Sequence, residues 1–252
     1  MEKIVLITGA TSGFGKAMAE KFAHGGWNCI ITGRRADKLH ALADELRDKY
    51  QIRVLSLVFD VSNKQEVEQN LENLPIEWHN VELLINNAGL ALGRDPIDKG
   101  NTDDWDTMID TNVKGLLYVT RAIAPYMVSR NKGHIINMGS IAGKEVYENG
   151  NVYCATKFAV DAISRSMRID LLPHKIKVTS INPGAAETEF SLVRFKGDEE
   201  KSNAAYKGYT PLYAQDIADI AWYCANLPAH VCINDIQVTC TAQANVVNFL
   251  KA

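Results

Sequence analysis

The sequence lacks a long apolar run, an ordered set of cysteines and an excess of one charge. No run approaches 18 apolar residues, so a membrane-spanning helix is not expected. The apolar stretch 4–7 that follows the N-terminal residues is too short for a signal peptide. We therefore predict a cytoplasmic protein without a membrane partner.

The cysteines follow no ligand or disulfide pattern. They are odd in number and lack both Cys-x-x-Cys and Cys/His spacing, which argues against a disulfide scaffold and against a zinc or other metal site. We expect reduced thiols that serve in packing. The five residues are Cys29, Cys154, Cys224, Cys232 and Cys240.

The charge balance gives no reason to expect nucleic acid as a partner. The chain has 27 basic and 30 acidic residues and a formal net charge of −3, whereas nucleic acid and anionic membranes attract basic proteins. A hydrophobic fraction of 46% in 252 residues is that of an ordinary globular protein with a sizeable core. One domain, 1–252, that acts on a small molecule is the prediction.

A glycine-rich turn follows the first apolar stretch. Segment 4–7 is typical of a buried strand, and Thr8–Gly15 leads from it into an amphipathic helix that carries Met18 and Phe22. Such a turn at a helix N-terminus can hold a pyrophosphate against backbone amides. Three residues, not one, separate the first two glycines, and a plain tight turn remains the alternative.

The second predicted strand, 27–32, ends in Gly33, Arg34 and Arg35. Proteins that bind NAD often have an acidic residue here for the ribose 2′-hydroxyl, whereas arginines suit the 2′-phosphate of NADP. NADP is therefore preferred over NAD. The alternative is that both arginines are solvated at the start of the next helix, 36–50.

Polar residues also follow the third, fourth and fifth predicted strands. Strand 54–59 ends at Asp60 and Val61, which can contact an adenine unless Asp60 only caps the next helix. Strand 81–85 is followed by 86–89, and strand 134–138 by Ser140. Ligands of open parallel sheets lie outside the carboxyl ends of the strands. These residues are therefore candidates for one site.

Strands and helices alternate every ~25 residues without a linker or a repeat. This predicts a doubly wound, Rossmann-type parallel sheet of about seven strands with helices on both faces. A long helix over 103–130 contains Asn112, which is a poor helix-interior residue unless its amide has a specific partner.

Tyr153 and Lys157 are four residues apart, so in a helix both side chains leave the same face. A cation near a phenol lowers its pKa and lets it exchange a proton with an alcohol or a carbonyl. An isolated pair of this kind more often marks a solvated helix edge, so the assignment depends on the neighbouring motifs.

The motifs together resemble the short-chain dehydrogenase/reductase family over essentially the whole chain. They occur in the family's order: Thr8-Gly9-x-x-x-Gly13-x-Gly15, Asn86-Asn87-Ala88-Gly89, Asn112, Ser140, Tyr153-x-x-x-Lys157 and Pro183-Gly184. The resemblance implies that Tyr153 is the general acid or base, and that Ser140 polarises the substrate oxygen. Lys157 would lower the pKa of Tyr153, and Asn112 would hold a water that links Lys157 to solvent.

The resemblance also assigns the cofactor contacts. Gly9, Gly13 and Gly15 would face the pyrophosphate, Asp60 the adenine, Asn87 the adenosine ribose, and Thr188 the carboxamide. The full set expected to bind NADP is Gly9, Thr11, Ser12, Gly13, Phe14, Gly15, Arg34, Arg35, Asp60, Val61, Asn87, Ala88, Gly89, Tyr153, Lys157, Pro183, Gly184 and Thr188.

Segment 185–212 corresponds to the family's substrate loop. Within and around it, segments 89–93, 193–198 and 227–231 resemble the NADP-dependent 3-hydroxy acid dehydrogenases, which act on serine, allo-threonine and related compounds. Arg194 is the candidate reader of a substrate carboxylate beside Ser140 and Tyr153, with Lys196 the weaker candidate. The charged segment 144–149 beside the entrance departs from an apolar pocket.

Three further expectations remain open at this stage. A 3-oxoacyl or other ketone reductase would share the catalytic residues, and a non-catalytic NADP-sensing protein is the alternative of another class. From the resemblance we expect a homo-oligomer, with a tetramer favoured over a dimer, because helices 103–130 and 152–172 usually pack against their copies.

Overall fold

Seven parallel strands form one sheet in the computed structural model, which describes residues 2–251. The order β3-β2-β1-β4-β5-β6-β7 reverses direction between β1 and β4, which is where doubly wound folds open a ligand crevice. The strands are β1 (Ile4–Ile7), β2 (Asn28–Gly33), β3 (Val54–Val58), β4 (Val81–Asn86), β5 (Gly133–Met138), β6 (Ile176–Pro183) and β7 (Asp235–Val238).

Helices cover both faces of the sheet, as predicted. Side chains alternate along a strand, and in β1 Val5 and Ile7 enter one core cluster while Ile4 and Leu6 enter the other. The first cluster includes side chains of α1, α2 and α9, and the second those of α3, α5 and α6. The helices are α1 (Gly13–His24), α2 (Ala36–Tyr50), α3 (Lys64–Leu71), α4 (Thr102–Ile109), α5 (Leu116–Val128), α6 (Asn151–Asp170), α7 (Glu189–Arg194), α8 (Glu199–Ala204) and α9 (Ala214–Ala225).

Three other features bear on the sequence expectations. All five cysteines are free thiols, and four of them are buried. Across residues 2–251, no helix combines the length and the apolar character that a membrane crossing requires. Segment 185–212, which has little helical periodicity, contains the short helices α7 and α8.

The helix predicted over 103–130 is present over 102–128, but a π-helical segment lies inside it and divides it into two α-helical parts. Helix α4 ends at Ile109, a π-helical segment occupies Asp110–Gly115, and α5 begins at Leu116. Gly115 packs so closely on Val61 that an added Cβ would lie 2.8 Å from Val61 Cγ2. Wide turns of this type often occur at functional sites.

Asn112 lies within this π-helical segment and is buried. Its Oδ1 accepts a hydrogen bond from the Leu90 amide at 2.8 Å, and its Nδ2 donates to the Leu90 carbonyl at 2.8 Å and to Thr156 Oγ1 at 3.1 Å. The Asn112 side chain thus takes the place of a backbone partner for both polar groups of Leu90, in the loop after β4. This explains why an asparagine is tolerated inside the helical segment.

We expect Asn112→Ala to lower the free energy of unfolding by about 2–4 kcal/mol, because it leaves both backbone groups of Leu90 without their partner. Urea unfolding followed by circular dichroism measures the change. The matched control is Asn73→Ala, since Asn73 is exposed and makes a single 3.3 Å bond to Gln69. Equal losses in the two variants would contradict the structural role of Asn112.

Candidate active site

A cleft of about 340 Å³ opens at the carboxyl ends of the strands, where the loops after β1 to β6 meet. Ligand pockets of this kind are common at such positions. Most of the residues predicted from the sequence line it: Gly9, Thr11, Ser12, Gly13, Phe14, Arg34, Arg35, Asp60, Val61, Asn87, Ala88, Gly89, Ser140, Tyr153, Lys157, Pro183 and Thr188.

The glycine-rich turn after β1 has the backbone of a phosphate cradle. Gly9 and Gly13 have φ of +66° and +51°, values that side chains disfavour. A Cβ on Gly9 would lie 3.0 Å from Ala88 Cα. The turn therefore requires glycine at both positions and leaves its amides accessible to a ligand.

Asn87 fixes this turn against the loop after β4. Its Nδ2 donates to the carbonyl oxygens of Thr8 and Gly9 at 2.9 and 3.2 Å, and its backbone amide donates to Thr8 Oγ1 at 3.0 Å. The side chain predicted to meet the adenosine ribose thus lines the cleft and also holds the glycine turn in place.

Two of the glycines predicted to contact the cofactor have packing roles and are not among the residues that line the cleft. A Cβ on Gly15 would lie 2.2 Å from the Gly9 carbonyl oxygen, because α1 starts directly beneath the turn. A Cβ on Gly184 would lie 2.2 Å from Gln243 Oε1. The sequence could not separate these positions from Gly9 and Gly13, since packing partners are distant in the chain.

The arginine pair lies at one end of the cleft. Arg34 contacts Asp60 at 3.2 Å. Arg35 donates to Thr11 Oγ1, to Ser12 Oγ at 2.8 Å and to Glu189 at 2.8 Å. Both guanidinium groups face the rim next to the glycine turn, the position that a 2′-phosphate requires.

Asp60 serves this end of the cleft as an ionised acceptor. Its Oδ1 accepts from the Ser62 amide and hydroxyl at 2.9 and 2.8 Å. Partial burial favours the neutral form, but the Ser62 bonds and the Arg34 charge outweigh it and hold the pKa of Asp60 below its ordinary value. The helix that follows is capped by Asn63, so capping does not need Asp60.

The lining fits NADP, with the open glycine turn between an arginine-rich end and an end with ionisable groups. At the second end, Ser140 follows β5, and Tyr153 and Lys157 lie on α6. Both α6 side chains line the cleft, as their spacing predicts. Ser140 Oγ accepts from the Ala142 amide at 3.1 Å, which fixes its orientation.

The net shift of the Tyr153 pKa is upward in this structure, and a lowering of this pKa by Lys157 stays a prediction. Lys157 Nζ donates to the Met138 carbonyl at 2.9 Å and lies 5.9 Å from the Tyr153 ring centroid. Burial raises the pKa of the Tyr153 phenol well above its ordinary value, and the Tyr147 phenol adds to this. The Ser140 hydroxyl and the Arg194 charge oppose the rise only in part. Desolvation therefore dominates over the charges near the phenol.

Burial shifts the pKa of Lys157 in the opposite direction, because the charged form of an amine is the protonated one. Desolvation lowers its pKa to about 8 from an ordinary 10.5. Asn112 is a neighbour of this amine across Gly89, because a Cβ on Gly89 would lie 3.2 Å from Asn112 Oδ1 and 3.7 Å from Lys157 Nζ. Asn112 does not line the cleft, and a relay through a water at this point stays a prediction.

Arg194 is the cation nearest the Tyr153 phenyl ring on the substrate side. Its guanidinium carbon lies 5.6 Å from the ring centroid, and its Nη2 donates to the Tyr147 hydroxyl at 2.7 Å. The Phe190 ring lies 5.7 Å from the Tyr153 ring. Tyr153, Phe190 and Val193 line this end of the cleft, which we call the chamber, whereas Arg194 and Tyr147 are not among the residues that line the cleft.

Two other charges that the sequence suggested for this chamber point elsewhere. Lys196 pairs with Asp104 at 2.8 Å, and Lys144 pairs with Asp161 at 2.7 Å and Asp235 at 2.6 Å. From the charged segment 144–149, Tyr147 reaches Arg194, whereas Lys144 points to Asp161 and Asp235. Sequence reasoning missed Tyr147, because nothing in the pattern separates it from its charged neighbours.

Thr188, predicted to bond the carboxamide, caps the short helix α7. Its Oγ1 accepts from the Phe190 amide at 3.2 Å, and its Cβ would lie 3.4 Å from a Cβ on Gly13. The start of α7 therefore lies directly over the glycine turn. This contact makes segment 185–212 part of the cleft wall.

A doubly wound parallel sheet with a glycine turn, an arginine pair and a grouped serine, tyrosine and lysine defines a dinucleotide-binding dehydrogenase. A family model described as short chain dehydrogenase matches residues 3–198. The chain belongs to the short-chain dehydrogenase family, which confirms the resemblance seen in the motifs.

Individual relatives cover nearly the whole chain. The NADP-dependent 3-hydroxy acid dehydrogenase YdfG of Salmonella typhi is 49% identical over 242 residues, 96% of each chain. Sulfoacetaldehyde reductase 2 of Chromohalobacter salexigens is 46% identical over 245 residues, 97% of this chain and 96% of the relative. The closed form of a serine dehydrogenase complexed with NADP+ has a TM-score of 0.92 at 46% identity, covering 99% of both chains.

We expect Lys157→Met to stabilise the fold at pH 7 by about 1–3 kcal/mol, because it removes a buried charge while giving up one hydrogen bond. The folded pKa of about 8 lies below 10.5, so the unfolded chain binds more protons between these values. The free energy of unfolding of the wild type should therefore rise with pH across this window, relative to the variant.

Urea unfolding of the wild type and of Lys157→Met between pH 7 and 10 measures the difference in their free energies of unfolding. The contributions of the other titrating groups are the same in both proteins and cancel in this difference. Lys64→Met is the control, because the Lys64 side chain is 64% exposed and should show no such slope. A wild type that parallels Lys157→Met at every pH would exclude the lowered pKa.

Proposed function

We propose that this chain is an NADP-dependent oxidoreductase that interconverts a small 3-hydroxy acid and the corresponding carbonyl compound. Serine, allo-threonine and the pair 3-hydroxypropionate and malonic semialdehyde are the candidate substrates. The observation that carries the proposal is the single guanidinium of Arg194 beside Tyr153. The 3-hydroxy acid and serine dehydrogenases among the similar proteins support it.

The residues of the chain supply proton transfer and orientation. NADP, when bound, supplies the hydride acceptor or donor. Ser140 donates a hydrogen bond to the reacting oxygen of the substrate, and Tyr153 removes the hydroxyl proton in oxidation or donates a proton to the carbonyl oxygen in reduction. Lys157 provides a positive charge on the same face of α6, with Asn112 behind it.

The raised pKa of Tyr153 keeps the phenol protonated at neutral pH before ligands bind. A protonated phenol is ready to act as an acid, so the groups of the chain alone favour the reduction step at neutral pH. Oxidation requires the phenolate, whose formation is aided by any positive charge that approaches the ring. Lys157 and Arg194 are the cations of the chain closest to it.

Arg194 is proposed to bind the substrate carboxylate. A planar guanidinium binds a carboxylate through two parallel hydrogen bonds, and the Tyr147 hydroxyl, 2.7 Å from Nη2, holds the guanidinium beside the Tyr153 ring. A hydroxyl held between Ser140 and Tyr153 leaves the carboxylate of a 3-hydroxy acid two carbons away, on the side of Arg194. Phe190, whose ring lies 5.7 Å from the Tyr153 ring, lines the cleft beside this position.

The proposal includes an assembly and a location. Segment 185–212 is proposed as the substrate loop, and the protein as a cytoplasmic homotetramer. Exposed apolar side chains on the helices expected to meet a second copy, Leu117 on α5 and Phe158 on α6, support the assembly. Five free thiols suit a reducing compartment.

The function is tested by absorbance at 340 nm with L-serine, L-allo-threonine or 3-hydroxypropionate, and with NADP+ or NAD+. We expect reduction of NADP+ in preference to NAD+, and a loss of at least about 10³-fold in kcat for Tyr153→Phe, since the proton acceptor is removed. Retained NADP+ binding in the variant shows that the fold is intact. Turnover that survives Tyr153→Phe would contradict the assigned role.

Arg194→Met should raise KM for L-serine about tenfold to a hundredfold, because a charge-assisted pair contributes ~1.5–3 kcal/mol. A neutral alcohol of similar shape should be converted equally well by both proteins. Lys196→Met is the matched control, since Lys196 pairs with Asp104. Equal impairment with charged and neutral substrates would exclude Arg194 as the carboxylate reader.

The same assay distinguishes the alternatives. Sulfoacetaldehyde, with NADPH, tests whether the chamber beside Arg194 prefers a sulfonate to a carboxylate, as the relative named for that substrate suggests. A 3-oxoacyl thioester or a neutral ketone tests the wider reductase class. If no substrate is turned over and NADP+ still binds, the non-catalytic NADP-sensing protein is the remaining function.

A further inference from the structure

Helix α7 connects the two ends of the cleft through its acidic first residue. Glu189 Oε2 lies 2.8 Å from Arg35 Nη1, and Glu189 Oε1 lies 3.5 Å from Lys38 Nζ. Arg35 is one of the two arginines proposed to hold the 2′-phosphate. Phe190 and Arg194, on the same short helix, meet Tyr153 and Tyr147 at the other end.

We propose that Glu189 competes with the 2′-phosphate of the cofactor for Arg35 and Lys38, and that binding of the phosphate releases the start of α7. The inference rests on the proposed use of NADP and deepens it. A carboxylate and a phosphate both require the same guanidinium edge, and Glu189 holds this edge in the structure. The Glu189 carboxylate thus occupies the edge of Arg35 that the 2′-phosphate would use.

The charges around Arg35 support a competition between Glu189 and the 2′-phosphate. Arg34, Arg35 and Lys38 carry three positive charges, and Asp60 and Glu189 carry two negative ones, so only one net positive charge faces an incoming dianion. Partial burial would raise the pKa of Glu189, but the Arg35 bond and charge, together with Lys38, hold the pKa below its ordinary value. Glu189 is therefore ionised at neutral pH and opposes the phosphate by its charge as well as by its position.

Arg35 does not depend on Glu189 for its orientation. Its Nε and Nη2 donate to Thr11 Oγ1 at 3.1 and 2.9 Å, and Nη2 also donates to Ser12 Oγ at 2.8 Å. The guanidinium would remain over the glycine turn after the Glu189 bond is lost. Removal of the carboxylate should therefore free a site that is already formed, instead of disordering it.

The test is calorimetric binding of adenosine 2′-monophosphate, with adenosine as the uncharged reference, to the wild type and to Glu189→Gln. We expect the variant to bind adenosine 2′-monophosphate and NADP+ about two- to fivefold more tightly, since the half-exposed Arg35 pair contributes up to ~1 kcal/mol. Binding of adenosine and NAD+ should be unchanged. The gain should shrink at high salt and in an Arg35→Gln background.

Glu187→Gln is the matched control, because Glu187 is an exposed acid two residues earlier in the same segment. It removes the same charge away from Arg35 and should leave binding as in the wild type. Hydrogen exchange of the amides of α7 separates direct competition from a general effect of charge. Adenosine 2′-monophosphate should speed exchange there in the wild type, whereas Glu189→Gln should exchange fast without it.

The outcomes are distinguishable. A wild type that binds adenosine 2′-monophosphate no better than adenosine overturns both the NADP proposal and this inference. A wild type with that preference, but with weaker or equal binding in Glu189→Gln, overturns the inference alone and makes Glu189 a support for Arg35. Equal gains in binding affinity in Glu187→Gln and Glu189→Gln also overturn the inference. So does hydrogen exchange of the α7 amides that does not change when adenosine 2′-monophosphate is added.

Discussion

The hydrogen bonds between the loops after β1 and β4 are the constraint on which the site depends. Asn87 and Ala88 donate four bonds to Thr8 and Gly9, across the point where the strand order reverses. Parallel strands open a crevice there because their connections leave in opposite directions. Without these bonds the glycine turn and the wall formed by 87–89 would be independent loops. With them, the cradle is rigid before a ligand arrives, and a ligand need not supply the ordering free energy.

The reacting end of the cleft is governed by desolvation. Burial raises the pKa of the Tyr153 phenol and lowers the pKa of the Lys157 amine to about 8, so the two pKa values move apart, and the phenol stays protonated where the amine begins to lose its proton. Such paired shifts are typical of sites that move protons. Arg194 is held beside them by hydrogen bonds that it donates to the Tyr147 hydroxyl and the Gly93 carbonyl. These bonds fix the guanidinium without using Tyr153 or Lys157, so the proposed carboxylate reader does not compete with the proposed proton-transfer pair for partners.

The sequence predicted the parts of this arrangement that depend on local pattern. Apolar strands ending in polar residues located the cleft, and the four-residue spacing located Tyr153 and Lys157. It failed where a contact joins distant segments. A π-helical segment, where Asn112 bonds Leu90 and Gly115 packs on Val61, lies inside the predicted helix. Gly15 and Gly184 have packing roles, and Lys144 turns away to Asp161 and Asp235. None of these partners is visible from periodicity, because each lies on another element of the fold.

Helix α7 shows why the two ends of the cleft cannot be treated as independent. It has six residues, about 9 Å of helix at 1.5 Å per residue, yet it contacts Arg35 with its first residue and Tyr147 with its last. Thr188, which caps it, packs over Gly13. Glu189 and Arg194 lie on one helix of six residues, so the proposed release of Glu189 from Arg35 acts on the same element that holds Arg194 beside Tyr153. If both proposed roles hold, binding at either end would change the free energy of binding at the other, and this coupling would be reciprocal.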